Sequence, residues 1–169
     1  MKIMNSKNWP TKKLREISDD EIKARFFVAL DQLFINDSFL LKNGANEGGD
    51  KLERGAHERS VAHKLAEYLQ AQFPGWYVDC EYNRDGLQVK TQKGQKRVFP
   101  DVIVHHRGIK DNLLVIELKT SKESNSKDLE KLRQFTEKGK YEYQLGVFIR
   151  LTKNKLEKPI WYKDGQQKN

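Results

Sequence analysis

Glu117-Leu118-Lys119 sets a carboxylate and an ammonium two residues apart. In an extended segment both project from one face, about 7 Å from each other. Asp101 follows Pro100 in the preceding apolar stretch and can lie across from Glu117 if the two segments pair as a hairpin. Carboxylates placed opposite each other repel unless a cation sits between them. Mg²⁺ suits such a pair, because it takes one or two carboxylates and keeps several waters. An adjacent ammonium can hold a water and oppose the charge that develops on a phosphoryl oxygen. A third carboxylate, Glu58, falls in an apolar helical stripe. At about 100° per residue, Val61, Ala62, Leu65, Leu69 and Phe73 all lie within about 60° of it. Two readings of Glu58 are open: a partly wet residue in a helix's first turn, favoured by the dipole, or a residue that serves a cation.

The elements that must position these residues follow from the periodicity. The segment 112–120 holds Leu113, Leu114, Val115 and Ile116 in succession, which marks a central strand covered on both faces. Glu117 and Lys119 share a face with Leu113 and Val115 in that strand. The segment 98–105 is the preceding strand, with Pro100 near its start, and Arg107-Gly108 is the turn between them. Counting from a turn centred near residue 109, Asp101 and Glu117 stand equally far out and become cross-strand neighbours. Glu58 belongs to a helix over about 55–73, after a glycine-containing loop over 43–55. An N-terminal helix from Ser18 or Asp19 to about residue 41 buries Ile22, Phe26, Ala29, Leu30 and Leu33. Trp76, Val78, Cys80 and Tyr82 alternate with polar residues as a strand, and a further strand starts at Leu87. Ser126 can cap a helix to about residue 138, with Asp128 and Glu130 in its first turn, and the segments 144–152 and 159–162 close the sheet.

The 169 residues predict a single domain, spanning 19–163 between a basic arm (1–18) and a short tail (164–169). The formal charge of +8 is unevenly placed: segments 1–16, 84–97 and 150–169 together carry +12, which leaves −4 for the rest. An acidic site within a basic surround fits a nucleic-acid partner, since basic surfaces attract phosphate backbones through counterion release. Arg84, Arg97 and Arg107 are candidate phosphate contacts. The lone Cys80 excludes an internal disulfide and a thiolate zinc knuckle. No apolar run approaches the roughly 20 residues that cross a bilayer, and no apolar stretch follows the basic start, so a cytoplasmic protein is expected. No Gly-Lys-Ser/Thr phosphate loop is present. His105 and His106 alternate faces, so no more than one reaches the site, and His57 is turned about 100° from Glu58. Gln134 lies off its helix's apolar stripe. Tyr82 reads as core.

Glu58, Pro100-Asp101 and Glu117-Leu118-Lys119 together resemble the signature of the PD-(D/E)XK nuclease superfamily, over about residues 56–149. The stretch 78–84, with Arg97 and His105-His106-Arg107, is similar to small bacterial and phage members of that group. The resemblance implies an α/β (α+β) restriction-endonuclease-like core: a mixed central sheet of four to five strands flanked by helices, plus the extra N-terminal helix. It implies that Asp101 and Glu117 bind Mg²⁺ or Mn²⁺ with help from the Leu118 carbonyl. Lys119 would be the catalytic lysine, and Glu58 the carboxylate that completes the site. The expected activity is metal-dependent hydrolysis of nucleic-acid phosphodiesters, DNA ahead of RNA. The alternative is an inactive module of the same fold that binds nucleic acid or a protein. The oligomeric state is open, a homodimer included.

Overall fold

The structure, a computed structural model, describes residues 16–43, 51–82, 84–85, 88–89, 98–152 and 155–168, with backbone alone at 42–43, 51–56, 84–85 and 88–89. In chain order the elements are α1 (Asp19–Asn36), α2 (Ser38–Asn43), α3 (Lys51–Gln72), β1 (Tyr77–Cys80), β2 (Arg84–Asp85), β3 (Gln88–Val89), β4 (Val102–His106), β5 (Asp111–Lys119), α4 (Ser126–Thr136), β6 (Leu145–Thr152), β7 (Lys155–Leu156), β8 (Ile160–Lys163) and β9 (Gln166–Lys168). The fold is α+β: a mixed sheet in the order β1-β4-β5-β6-β8-β9, with β7 on β6, flanked by helices. Seven strands join it instead of four or five, because β7 and β9 add short antiparallel ribbons. Only β5 and β6 run parallel, joined by the α4 crossover. Among the described residues no helix is long and apolar enough to cross a membrane.

Two apolar clusters cover the two faces of the sheet. Phe26, Leu30, Leu33, Leu65 and Leu69 from α1 and α3 pack on Val102, Val104, Leu114, Ile116, Leu118 and Val147. On the other face Leu132 and Phe135 of α4 pack on Ile103, Val115, Phe148 and Tyr162. The stripe expected for the first helix, Ile22 to Leu33, is buried as read. Ser18 caps that helix by accepting from the Glu21 amide at 3.2 Å, with three acidic residues in the first turn that suit the dipole. The helix stops at Asp37, which accepts a hydrogen bond from Tyr68 Oη at 2.5 Å, so the expected single helix to residue 41 is two. At the start of α4, Ser126 is not the cap. Asn125 holds that place without a side-chain bond, and the Ser126 amide reaches Ser124 Oγ at 3.4 Å.

Two local departures bear on the site. First, α3 begins at Lys51, inside the segment expected as loop. Gly55 is tolerated within a helix at about 1 kcal/mol relative to Ala, and the earlier start moves Glu58 out of the first turn, away from the dipole's positive end. Second, β4 and β5 pair His106 with Asp111 and His105 with Asn112, then Val104 with Leu114, so Leu113 is the extra residue of a bulge. Leu113 therefore packs with the α1–α3 cluster and not beside Val115, as strict alternation predicts. Beyond the bulge Val102 stands opposite Ile116, and the next step in that register sets Asp101 against Glu117. A one-residue slip changes every cross-strand partner, so the bulge decides that Asp101 comes opposite Glu117 and not Ile116.

Candidate active site

The site is built at the carboxyl end of β5. Glu117 is 1% exposed, on the α4 face of the sheet. Its partner is Lys131 of α4, whose Nζ donates to Glu117 Oε2. Glu117 Oε1 is buried without any hydrogen-bond partner. Asp101, at the end of the ladder, accepts from the Leu118 amide through Oδ2 at 2.8 Å, its carboxylate doing what a backbone carbonyl does further along the strand. The Asp101 carboxylate is thereby fixed to β5 directly beside Glu117.

Lys119 lies half-buried one step beyond. Its Nζ donates to Glu58 Oε1 at 3.1 Å and stands 3.7 Å from Asp128 Oδ2. The other Glu58 oxygen accepts from the Thr120 amide at 3.3 Å. Glu58 therefore holds both the Lys119 ammonium and the backbone that follows it, and this settles why a carboxylate belongs in an apolar stripe: its charge is paired. Asp128, 7% exposed, sits between the two lysines, 3.2 Å from Lys131 Nζ through Oδ1.

These contacts set the protonation states. Burial pushes the Asp101 carboxyl up to about 6; the Leu118 amide and Lys131 pull it down, while Glu58 and Asp128 add to the rise. Burial, then the Asp101 charge, raises Glu117 well above the usual carboxylate range against the pull of Lys131. Burial opposes the charge on Lys119, but Glu58 and Asp128 outweigh it and hold the ammonium above the ordinary lysine value. Lys119 is thus a fixed positive charge at neutral pH and not a base. Lys131 is raised in the same way, chiefly by Glu117 against its burial.

A cavity of about 170 Å³ opens beside this cluster, lined by Glu58, Arg59, Ala62, His63, Cys80, Glu81 and Asp101. Arg59 pairs with Glu81 at 3.0 Å at the exposed margin. Among the described residues no group of three or more His, Cys, Asp or Glu side chains is arranged to hold a metal ion. The donors suited to one are the pair Asp101 and Glu117, since both Glu58 oxygens are engaged. That pair fits a hard divalent cation that binds through two carboxylates and keeps its waters, and the unpartnered Glu117 Oε1 is the observation that favours the fit.

The other described candidates have partners outside this cluster. Arg107 pairs with Asp79, donating from Nε at 2.9 Å, and lies over the Tyr77 ring at 4.5 Å. His105 Nε2 is 2.8 Å from Asp79 Oδ2. His106 joins Asp111 and the Gly75 carbonyl and stacks on Trp76. The side chain of Arg84 and all of Arg97 lie outside the described residues, as does most of the strand expected from Leu87. Gln134 donates to Glu130, 2.5 Å away. Tyr82, expected in the core, is partly buried and packs against the α4-side cluster; Glu81 at φ 49° turns the chain between Cys80 and Tyr82. The residues missed from sequence are Asp128 and Lys131. With Leu132 and Phe135 they recur at i, i+3, i+4 and i+7, and the arithmetic that singled out Glu58 finds them too.

No protein-family model matches the chain, and no curated protein matches it.

Proposed function

We propose that the chain is a metal-dependent phosphodiesterase acting on nucleic acid, DNA ahead of RNA, on a restriction-endonuclease-like core. The reading is carried by one arrangement: Asp101 and Glu117 side by side at the end of β5, with a buried, unpartnered Glu117 oxygen and the Lys119 ammonium one step away. A carboxylate pair of this kind hinders binding to a phosphate backbone unless a cation offsets it, so a module that merely binds DNA has no use for it. Asp101 and Glu117 would hold Mg²⁺ or Mn²⁺, with the Leu118 carbonyl as the resemblance implies. Bound there, the ion would supply Lewis acidity and a water of lowered pKa. Lys119, kept protonated by Glu58 and Asp128, opposes the negative charge that grows on a phosphoryl oxygen in the transition state. Glu58 orients Lys119 and pins the backbone at Thr120, and the net charge of +8 draws the polyanion.

One observation favours the alternative, a non-catalytic module of the same fold: Lys131 already gives Glu117 a counter-charge, so the acidic residue is tolerated without a metal. The deciding experiment is incubation of the full chain with labelled single- and double-stranded DNA and RNA in Mg²⁺, Mn²⁺ or EDTA. Cleavage in either metal, absent in EDTA and in Asp101→Ala, supports the phosphodiesterase. Binding without cleavage in every condition supports the module instead.

A further inference from the structure

The place where a cation belongs at Glu117 is already held by a side chain. Lys131 Nζ donates to Glu117 Oε2 and reaches Asp128 Oδ1 at 3.2 Å, while Glu117 Oε1 stays buried and unpartnered. The charges facing Lys131 are Glu117 from β5, Asp101 from the segment ahead of β4, and Asp128 from α4 itself. Lys119 and its partner Glu58 of α3 adjoin them through Asp128. Formally, the carboxylates Glu58, Asp101, Glu117 and Asp128 face the ammoniums Lys119 and Lys131, which leaves two negative charges over. One divalent cation closes that balance, yet one of the two Glu117 oxygens is taken.

We propose that Lys131 and a divalent cation are alternative occupants of the Glu117 carboxylate, the cation entering as Lys131 swings to Asp128. This rests on the metal-site reading above. A buried carboxylate left without a counter-charge is strongly destabilising, so the exchange is one in, one out. The lysine is suited to it. Its ammonium ends a flexible four-carbon stem, its side chain is 20% exposed, and its second partner Asp128 lies one helical turn back and already in reach. Lys131 thus changes partners without being stranded. Lys119 does not take part, because Glu58 keeps it in place.

The test uses Mn²⁺ alone as the probe on the full chain, with calorimetric titration and thermal melting and no nucleic acid present. Lys131→Met keeps the stem and removes the ammonium. It should lower the melting temperature in EDTA, tighten the Mn²⁺ Kd at least tenfold, and enlarge the melting-temperature rise that Mn²⁺ produces. Lys158→Met, at an exposed lysine outside the cluster, controls for net charge and should leave the Kd unchanged. In the wild-type chain, Lys131 should resist amine acetylation in EDTA and react several-fold faster at saturating Mn²⁺, with Lys158 constant. Equal Mn²⁺ affinity in wild type and Lys131→Met would overturn the exchange and leave the metal site standing. Absence of Mn²⁺ binding in both would remove the metal site and the exchange with it. If Lys131→Met does not fold, the acetylation pattern decides alone: unchanged protection of Lys131 with Mn²⁺ bound overturns the proposal.

Discussion

Asp101→Asn isolates what the fold spends on holding its acidic residues close together. The Leu118 amide needs an acceptor at that position, and the asparagine carbonyl supplies one, so the substitution removes charge and keeps shape. In the folded chain the Asp101 carboxyl titrates at about 6, against an ordinary value of 3.8. That difference corresponds to about 3 kcal/mol. The sign follows from proton binding. Between the two values the folded state keeps a proton that the unfolded chain has released, so stability is full below about pH 4 and falls as pH rises through about 6. Asp101→Asn has no such loss, and it also removes the Asp101 charge that raises Glu117, which acts in the same direction. Relative to wild type, the variant in EDTA should gain about 3 kcal/mol between pH 4 and pH 8. In a chain of this size that is a melting-temperature gain of about 6–12 °C. Urea unfolding at several pH values, with the two proteins compared at each, reads the gain directly. A variant that tracks the wild-type pH curve in parallel, or that is less stable at pH 8, would refute the claim that Asp101 is held ionised at a cost.

Three further outcomes follow from the same geometry, the first two on the proposed phosphodiesterase reading. Lys119→Ala should abolish cleavage while DNA affinity, measured by filter binding, stays within a few fold, since one charge among many adds little to the salt-dependent term; unchanged cleavage would make the lysine structural. Glu58→Gln weakens the hold on Lys119 and should cost about 1–2 kcal/mol in chemical denaturation and slow cleavage at least tenfold, so a destabilised variant with full activity would separate Glu58 from the chemistry. Gly146→Ala places a methyl 3.0 Å from Thr136 Cγ2 and 3.2 Å from Leu132 Cδ2, so overpacking of α4 against β6 should cost about 1–3 kcal/mol; a neutral result in denaturant melts would show that α4 can shift freely.

Periodicity made most of the framework legible. The α1 stripe, the central β5 and the α4 apolar face all follow from apolar residues recurring at the spacing each element requires. Tertiary contacts decided what periodicity could not. The first helix reads as continuous through Asp37, and its break there is accompanied by a hydrogen bond from Tyr68 of α3, a residue distant in sequence. The segment ahead of Glu58 reads as loop because glycine weakens a helix locally, yet α3 begins at Lys51 because the buried face from Val61 to Phe73 outweighs a local cost of about 1 kcal/mol.

At the site, the pairing of Asp101 with Glu117 was expected for a reason that turns out incomplete. A turn centred near residue 109 would place them opposite each other, but the ladder next to the turn, His106 with Asp111, is centred half a residue earlier. Continued without interruption it would set Asp101 against Ile116 instead of Glu117. Leu113, the extra residue of the bulge, restores the register and sends its own side chain into the α1–α3 cluster. A bulge re-aims side chains in this way, and nothing in the run Leu113 to Ile116 distinguishes the residue that bulges from those that pair. Asp128 and Lys131 were hidden for a different reason. A polar residue near a helix's start has a ready explanation in the dipole, and that explanation conceals burial. The distinguishing sign is phase: Asp128 lies on the same face as Leu132 and Phe135, where a solvated acid has no cause to be, just as Glu58 lies with Leu65 and Leu69. Three carboxylates of this site, Glu58, Glu117 and Asp128, interrupt an apolar stripe or strand face, and each has a lysine in contact. The pattern to seek in a sequence is therefore the acid out of phase with its surroundings, together with a lysine able to reach it.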